Sequence, residues 1–219
     1  YSRISLHYDP QMQTLEEATV SVTQKAEREA RAGSAMIVLS DAAVEQGLLP
    51  IHALLATGAV HHHLIAVGLR CDTSLIIETG TARDPHHIAT LIGFGATAVY
   101  PYLSYSVLCD LVESGEVLGD ETEVYRNYRK GINKGLMKIL SKMGISTVAS
   151  YRAAQLFEAV GLSREVVDLC FKGLASRVAG ARFVDLENDQ KVLASRAWNR
   201  RKLIEQGGLL KYVHGGEYH

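Results

Sequence analysis

PIHALLATGAVHHHLIAVGLRCDTSLIIETGTARDPHHIATLIGFGATAVYPY, from Pro50 to Tyr102, is the stretch that decides the predicted fold. Its apolar residues first recur at helical spacing, and a short apolar run, SLIIE, follows. Asp84 then provides a helix N-cap and Pro85 a first-turn proline, which predicts a helix that ends at Gly93. A second apolar run, ATAVY, stops before Pro101. This order of helix, strand, helix and strand predicts a βαβ unit with parallel strands, because a helical crossover returns the chain in its original direction.

Apolar runs on either side extend this unit into a larger α/β fold. Residues 36–40 are apolar on both faces, as a buried parallel strand requires. The predicted strands are 36–40, 74–78, 96–100 and 145–149, and they alternate with helices. This alternation predicts the α/β class, with parallel strands and helical crossovers in an open sheet or in part of a β/α barrel.

Helical periodicity and helix caps define the remaining elements. Thr14 and Glu17 form the outline of a capping box, and residues 1–13 are expected to be extended and polar. We predict one α/β domain at residues 1–185 and a helical and extended tail at residues 186–219. The predicted helices cover residues 15–32, 85–93, 101–113, 123–143, 150–160, 163–171 and 186–205, and residues 172–180 are expected to form a loop.

Composition narrows the possible partners and the compartment. The formal net charge of -1 over 219 residues argues against nucleic acids and anionic membranes, because both select a positive excess. No apolar run approaches the ~18 residues of a membrane helix. Cys71, Cys109 and Cys170 show no CxxC spacing, which favours reduced, buried thiols in a cytoplasmic protein. The chain opens on Tyr1 without a methionine, so we expect it to be a segment of a longer protein.

Asp41 and Glu78 form the sharpest local signal for a site. Each lies at the carboxyl end of a predicted strand, and in parallel α/β folds this end faces the ligand crevice. If the strands are neighbours, both carboxylates could share a polar pocket with His86 or His87. The alternative is structural: Asp41 caps the following turn, and Glu78 pairs with Arg83 or with a histidine.

Other motifs for metal, phosphate or nucleophile chemistry are incomplete. His61 and His63 lack a histidine or carboxylate partner at the i ± 4 spacing of zinc helices. No glycine segment matches GxGxxG or GxxxxGK[ST], and GxSxG is absent. We therefore predict no catalytic, cofactor-binding or metal-binding residue in this chain.

A row of basic residues follows the longest predicted helix, at residues 123–143. Lys130, Lys134 and Lys138 recur every four residues and are candidates for contact with an acidic neighbour. A step of four advances about 40° beyond a full turn, so the row winds around the helix. The alternatives are a phosphate held by the same face, or a solvated face whose charges are paired.

Four long motifs resemble the central domain of the glutamate synthase large subunit, and the resemblance covers nearly all of the chain, from about Met36 to His219. ARDPHH and GINKGL are most similar to the bacterial NADPH-dependent type. Two positions depart from the family pattern: Ala42, where arginine is typical, and Ala153, where cysteine or glycine is typical. The motifs are LLATGAVHHHLI, ETGTARDPHHIATLIGFGATAVYPYL, NYRKGINKGLMKILSKMGISTVASY and QGGLLKYVHGGEYH.

This resemblance implies a connecting role within a larger enzyme. In the family, an N-terminal amidotransferase domain releases ammonia from glutamine, and an FMN and iron–sulfur barrel makes glutamate from 2-oxoglutarate. The central domain lies between them, with partial β/α-barrel topology and no cofactor of its own. The implied partners are both flanking domains and a small subunit that supplies electrons from NADPH. The implied role is to hold the two active sites in register and to wall the ammonia passage.

A second interpretation is a self-standing β/α enzyme that uses Asp41, Glu78 and His87 for proton transfer at the strand ends. A reading frame that continues beyond both ends of the chain would favour the connecting domain instead. On the connecting-domain interpretation, the isolated segment should bind no flavin and catalyse no reaction.

Overall fold

A computed structural model describes residues 1–199 of the 219. The elements, in chain order, are β1 (Ser2–Ser5), β2 (His7–Tyr8), α1 (Leu15–Arg31), β3 (Met36–Ser40), β4 (Leu49–Pro50), α2 (Ala53–Ala66), β5 (Ser74–Glu78), α3 (Pro85–Gly93), β6 (Ala98–Tyr100), α4 (Tyr102–Glu113), α5 (Glu121–Lys142), α6 (Val148–Tyr151), β7 (Glu158–Leu162), α7 (Arg164–Cys170), β8 (Ala175–Ala181) and α8 (Phe183–Ala197). Within this part of the chain, every helix is too short or too polar to span a lipid bilayer.

The main sheet contains four strands in the order β1-β3-β5-β6, and every neighbouring pair is parallel. The prediction of parallel neighbours for the strands near residues 36–40, 74–78 and 96–100 is confirmed. Their order follows the chain without reversal, unlike the order of a doubly wound sheet. A helical connection between neighbouring parallel strands is right-handed in nearly all proteins. This strand order therefore places the connecting helices α1, α2 and α3 on one face of the sheet. The architecture is an arc of a β/α barrel.

The two faces of this sheet differ in burial. The face that packs against α1, α2 and α3 is apolar and closed, whereas Met36 and Tyr100 on the other face are 47% and 49% exposed. Residues 36–40 are therefore not covered on both sides within residues 1–199. The buried residues of the helix-facing side are Ile4, Ile37, Leu39, Leu75 and Ile77.

Local sequence signals placed two helices correctly. The Thr14 hydroxyl and the Glu17 carboxylate form the predicted capping box at the start of α1. Asp84 Oδ1 accepts hydrogen bonds from the backbone N–H groups of His86 (2.8 Å) and His87 (3.0 Å) at the start of α3. Each cap satisfies helix donors that would otherwise have no partner, so each helix begins where its cap lies.

Four local predictions are wrong or incomplete. Residues 145–149 form no strand, because Thr147 accepts from Ser150 N and starts α6. The predicted helix 150–160 ends at Tyr151, and β7 follows. Residues 172–180, expected to be a loop, contain most of β8, which pairs in parallel with β7. The N-terminal segment is not merely extended: β1 adds to the main sheet beside β3. Short apolar runs do not distinguish a strand from a helix, and a strand forms only where it finds a partner.

The last described helix, α8, is attached to the start of α1. Glu187 is buried, and its Oε2 accepts from the backbone N–H of Leu15 (2.7 Å) and from the Tyr8 hydroxyl (3.4 Å). Its Oε1 accepts from Lys191 Nζ at 2.5 Å. α8 begins at Phe183, close to the predicted boundary between domain and tail, and the rest of that tail lies outside the described residues. The first turns of α8 therefore belong to the packed core.

All three cysteines are free thiols, but Cys71 is exposed and Cys109 is half-buried, so the prediction of buried thiols is wrong for these two. Only Cys170 is buried, and burial raises its pKa to about 12. Its backbone carbonyl packs against Gly58 of α2, where an added Cβ would come within 2.0 Å of the Cys170 oxygen. Gly58 therefore permits the close contact between α2 and α7.

Candidate functional site

A groove runs along the carboxyl ends of β3 and β5. It consists of two adjoining cavities of about 480 Å³ and 300 Å³, which share Gly80 and Thr81 as lining residues. The first turns of α2, α3 and α4 border it, and the residues from Gln190 to Trp198 of the α8 segment close one side. The groove therefore lies where a parallel α/β fold commonly places its ligand site.

Asp41 lines this groove and holds the loop after β5. The residue is 6% exposed, and its Oδ2 accepts from the Thr79 hydroxyl (2.5 Å) while its Oδ1 accepts from Gly80 N (2.9 Å). Its backbone carbonyl accepts from the Tyr102 hydroxyl at 3.3 Å. The carboxylate thus crosslinks two neighbouring strand ends and does not cap the turn that follows it. Both of its oxygens are occupied by structural contacts.

Glu78 lies close to Asp41 at the carboxyl end of the neighbouring strand, but its side chain points to the opposite face of the sheet. Ser40 and Glu78 are register partners, so Asp41 lies in the next row, and side chains of successive rows point to opposite faces. The Glu78 carboxylate accepts from Ser40 Oγ (2.5 Å) and from Arg3 Nη2 (2.5 Å). Its partner is therefore Arg3, not Arg83 or a histidine, and Glu78 does not line the groove. Asp41, Glu78 and His87 do not meet at one centre.

His86 and His87 are both exposed in the first turn of α3. His87 lines the larger cavity, and its Nδ1 accepts from Arg83 N (3.3 Å) and lies 3.5 Å from Asp84 Oδ2. His86 lies outside both cavities. Of the four candidates for a polar pocket, Asp41 and His87 line the groove, whereas Glu78 and His86 do not.

Two further histidines, His7 and His52, line the groove and were missed in the sequence. Burial lowers the pKa of each ring below its ordinary value, although the nearby Asp41 carboxylate acts in the opposite direction. The His52 ring is crowded by protein atoms yet reaches solvent, and its Nδ1 accepts from Leu54 N at 3.2 Å. No sequence spacing connects His7 to Asp41, since only the pairing of β1 with β3 brings them together. Burial therefore favours the neutral form of both rings.

Tyr102 completes the polar lining. Burial, and then the Asp41 carboxylate, raise the pKa of its hydroxyl to about 12, so the group remains a neutral donor. The rest of the 300 Å³ cavity is lined mainly by apolar side chains, including Val44, Leu48 and Leu193. The 300 Å³ cavity therefore offers uncharged hydrogen-bonding groups and apolar surface beside one bonded carboxylate, whereas Arg83 adds a positive charge to the wall of the larger cavity.

The three candidate contact lysines lie on the open side of α5. Lys130, Lys134 and Lys138 are exposed, and none of them forms an ion pair with a carboxylate among residues 1–199. The other side of α5 packs against the core through Ile132 and Leu136. The row is therefore accessible to another protein surface.

The histidines do not assemble into a metal site in the described part of the chain. Across residues 1–199, the one group of ligand atoms that lie within 4.8 Å of one another contains Cys109, Glu113 and Glu121, on α4 and α5. Its two carboxylates are exposed, and no histidine contributes. Exposed acidic clusters are common on protein surfaces without a metal, so this group by itself indicates no site.

Comparison with known proteins gives one consistent result. Residues 1–163 match the family model of the glutamate synthase central domain. The large chain of glutamate synthase [NADPH] from Bacillus subtilis is 40% identical over 207 residues, which cover 94% of this chain and 14% of that protein. Ferredoxin-dependent glutamate synthase 2 from Synechocystis is 39% identical over 234 residues, which cover the whole chain and 15% of that protein. This chain thus spans about one seventh of these relatives.

Among solved structures, a mutant flavocytochrome b2 with benzoylformate is similar to this chain with a TM-score of 0.48 and 14% sequence identity. The match covers 85% of this chain and 40% of the flavocytochrome chain.

Proposed function

Because the chain belongs to the glutamate synthase central domain family, we propose that it connects the amidotransferase and FMN domains of a glutamate synthase. On this proposal the parent enzyme makes glutamate from glutamine and 2-oxoglutarate in the cytoplasm, with electrons from NADPH that enter through a small subunit. The segment holds the two active sites in register and helps to wall the passage for ammonia. The carboxyl-end groove is the part of the segment that borders this passage.

The observation that carries this proposal is the lining of the 300 Å³ cavity, whose one carboxylate is bonded on both oxygens and whose other polar groups carry no fixed charge. Ammonia must travel uncharged, and a free carboxylate nearby would favour its protonation to ammonium. Here the Asp41 oxygens are bonded to Thr79 and Gly80, burial lowers the pKa values of His7 and His52, and Tyr102 keeps its proton. A small uncharged molecule would therefore find hydrogen bonds here without a group that traps it.

The surface of α4 and α5 supports a connecting role. Leu118 and Met137 are 91% and 69% exposed, close in the chain to the row formed by Lys130, Lys134 and Lys138. Interfaces between domains of one chain combine apolar and charged contacts in this way. We assign this surface to contact with a flanking domain.

Two glycine-containing segments within residues 1–199, GTARDP (residues 80–85) and KMGIST (residues 142–147), offer few of the free donors that a flavin phosphate requires. Helix N-termini bind phosphate through unpaired backbone N–H groups. At α3, Pro85 has no N–H, and those of His86 and His87 already bond to Asp84. Directly after KMGIST, at the start of α6, the Ser150 N–H is bonded to the Thr147 side chain. We therefore propose that FMN, the iron–sulfur clusters and NADPH bind to other parts of the parent enzyme.

The test is the coupling between glutamine hydrolysis and glutamate formation in the intact enzyme. We expect Asp41→Asn to loosen the loop at Thr79 and Gly80, and to raise the ratio of glutamine hydrolysed to glutamate formed by a factor equivalent to about 1–2 kcal/mol. Glu78→Gln tests the second carboxylate in the same assay. Asp72→Asn, an exposed change at the other end of β5, is the matched control. A folded Asp41→Asn enzyme with unchanged coupling would show that the groove does not wall the passage.

A further inference from the structure

A second polar cluster lies at the amino ends of the strands, opposite the groove, with Arg70 at its centre. Its guanidinium donates to Thr73 O (2.6 Å) and Gly95 O (2.7 Å), which precede β5 and β6. Its Nε donates to His61 Nδ1 at 2.9 Å. Because an arginine can only donate, Nδ1 must be the acceptor, and the proton of the neutral imidazole lies on Nε2.

That Nε2–H group is buried and has no hydrogen-bond partner among residues 1–199. His61 is 4% exposed, and its ring packs against Gly95, where an added Cβ would come within 2.4 Å of ring atoms. The ring is therefore fixed between Arg70 and Gly95. Buried donors are nearly always bonded in folded proteins, so an orphan donor indicates an absent acceptor.

His61 lines a small cavity of about 50 Å³, which would supply room for that acceptor. His62, Gln155 and Lys172 line the same cavity, together with Phe94. We name this cavity, with the adjacent side chains of Arg70 and Arg152, the basic pocket. Its size suits one compact charged group whose remainder lies outside.

The charge around the basic pocket is positive and unbalanced. Burial is the main cause of the lowered pKa values of His61, Arg70 and His62; Arg152 contributes to the first two and Lys172 to the third, so these charges lie close together. The Nε of Arg152 is a second buried donor without a partner in the described part of the chain. Arg70, Arg152 and Lys172 form no ion pair with any carboxylate of residues 1–199. Clustered cations of this kind favour an anion.

The backbone beside the basic pocket is held in an uncommon conformation. Ala153 and Gln155 have positive φ angles of 56° and 53°, and the Ala153 N–H bonds to Gly93 O at 2.9 Å. Non-glycine residues rarely adopt this region, and they cluster at ligand sites, where the surrounding structure maintains them. This conformation carries the Gln155 side chain to the pocket wall.

We propose that the basic pocket binds an oxyanion, either inorganic phosphate or the carboxylate of a small metabolite. One oxygen accepts from His61 Nε2–H, the Lys172 ammonium pairs with the negative charge, and Arg70 and Arg152 supply the field. The bound anion joins α2, the loop before β7 and the loop before β8. This site is independent of the carboxyl-end groove and of its proposed function.

Isothermal titration calorimetry of the intact protein that contains this chain tests the site, with sodium phosphate and sodium acetate as separate probes at constant ionic strength. We expect Lys172→Met to weaken the binding of the preferred anion at least fivefold. Lys25→Met removes the same charge from an exposed position of α1 and should change the affinity less than twofold. Tighter binding of phosphate would assign the site to phosphate, and tighter binding of acetate would assign it to a carboxylate.

A second variant tests the buried donor. His61→Asn keeps an acceptor for Arg70 Nε but lacks a donor at the position of Nε2, so it should also weaken the preferred anion at least fivefold. Circular dichroism establishes that each variant is folded. Equal affinities in the Lys172→Met and Lys25→Met proteins would overturn the proposal, as would the absence of any heat that depends on Lys172. Because Lys172 is exposed, this arm does not depend on whether the His61 variant folds.

Discussion

The two ends of the main sheet differ in the polar network around their central residue, Asp41 at the carboxyl end and Arg70 at the amino end, although the ring nitrogens of His7 in the groove also have no partner among residues 1–199. At the carboxyl end, each Asp41 oxygen has a partner, and the network joins β3 to the loop after β5. At the amino end, His61 Nε2 and Arg152 Nε are buried donors, and neither has an acceptor in the described part of the chain. A closed network, in which every buried polar atom has a partner, stabilises the fold by itself. An open network, in which a buried donor has no acceptor, is where a ligand can bind. Whether a buried side chain already has its hydrogen-bond partners is therefore a better guide to a ligand site than whether it is charged.

The largest expected effect is on the closed network. Asp41→Ala leaves the Thr79 hydroxyl and the Gly80 N–H without their acceptor at a buried position, so the free energy of unfolding should fall by about 2–3 kcal/mol. Glu78→Ala breaks an ion pair whose Arg3 side chain is 54% exposed and removes one acceptor of the buried Ser40 hydroxyl, and should cost about 1 kcal/mol. Urea unfolding of the 219-residue chain measures both. Equal losses would show that the Asp41 network is no more structural than the Arg3–Glu78 pair.

The open network should make stability depend on pH. Burial, and then the charge of Arg70, lower the pKa of His61 from 6.5 to about 4. As the pH falls below about 6.5, the unfolded chain takes up a proton that the folded chain refuses, so stability is complete above this pH and decreases towards pH 4. We expect a loss of about 2 kcal/mol, which allows for solvent that reaches the neighbouring cavity.

The measurement is urea unfolding of the wild-type chain and of His61→Asn at pH 7 and near pH 4.5. The variant should lose clearly less stability over this range, because it lacks the titrating ring. His7, His52 and His62 also have lowered pKa values, so a smaller dependence of the same sign should remain in the variant. The same pH dependence in both chains would exclude His61 as its source.

The smallest expected effect concerns the backbone beside the basic pocket. Ala153 has a φ of 56°, a left-handed conformation that costs an L-residue about 1–2 kcal/mol. Glycine, one of the two residues typical of the family here, adopts it freely but has more entropy in the unfolded chain. Ala153→Gly should therefore stabilise the chain by about 0.5–1 kcal/mol in urea unfolding. Ala154→Gly, at a residue with negative φ, should give no gain, and a gain of equal size there would contradict this explanation.

Local patterns predicted the centre of the fold well and its last third poorly. The strands near residues 36–40 and 74–78 follow from apolar runs between helix signals, and the caps at Thr14 and Asp84 mark helix starts. Residues 145–160 and 172–180 were assigned wrongly because β7 and β8 are short, exposed and stabilised by each other, whereas the helix predicted between them is present as α7. The two strands pair with each other but are separated in the chain by α7, so a short sequence window cannot include both.

The candidate site shows the same limit at the level of single residues. Strand ends predicted that Asp41 lies at a groove, but register decided that Glu78 points to the other face. Period-2 alternation could have indicated this separation, since Asp41 is one position beyond the partner of Glu78. His7 and His52 gave no signal, because their proximity to Asp41 depends on strand and helix placement.

The sequence by itself determined the α/β class, the parallel order of β3, β5 and β6, the capped helix starts and the family. These depend on periodicity and on hydrogen bonds between residues close in the chain, which the local sequence encodes. Only the tertiary structure decided which polar groups have partners: Arg70 with Gly95, Asp41 with Gly80, and His61 Nε2 with no partner among residues 1–199. Such contacts join residues far apart in the chain, so their presence or absence depends on how the whole sheet and its helices pack.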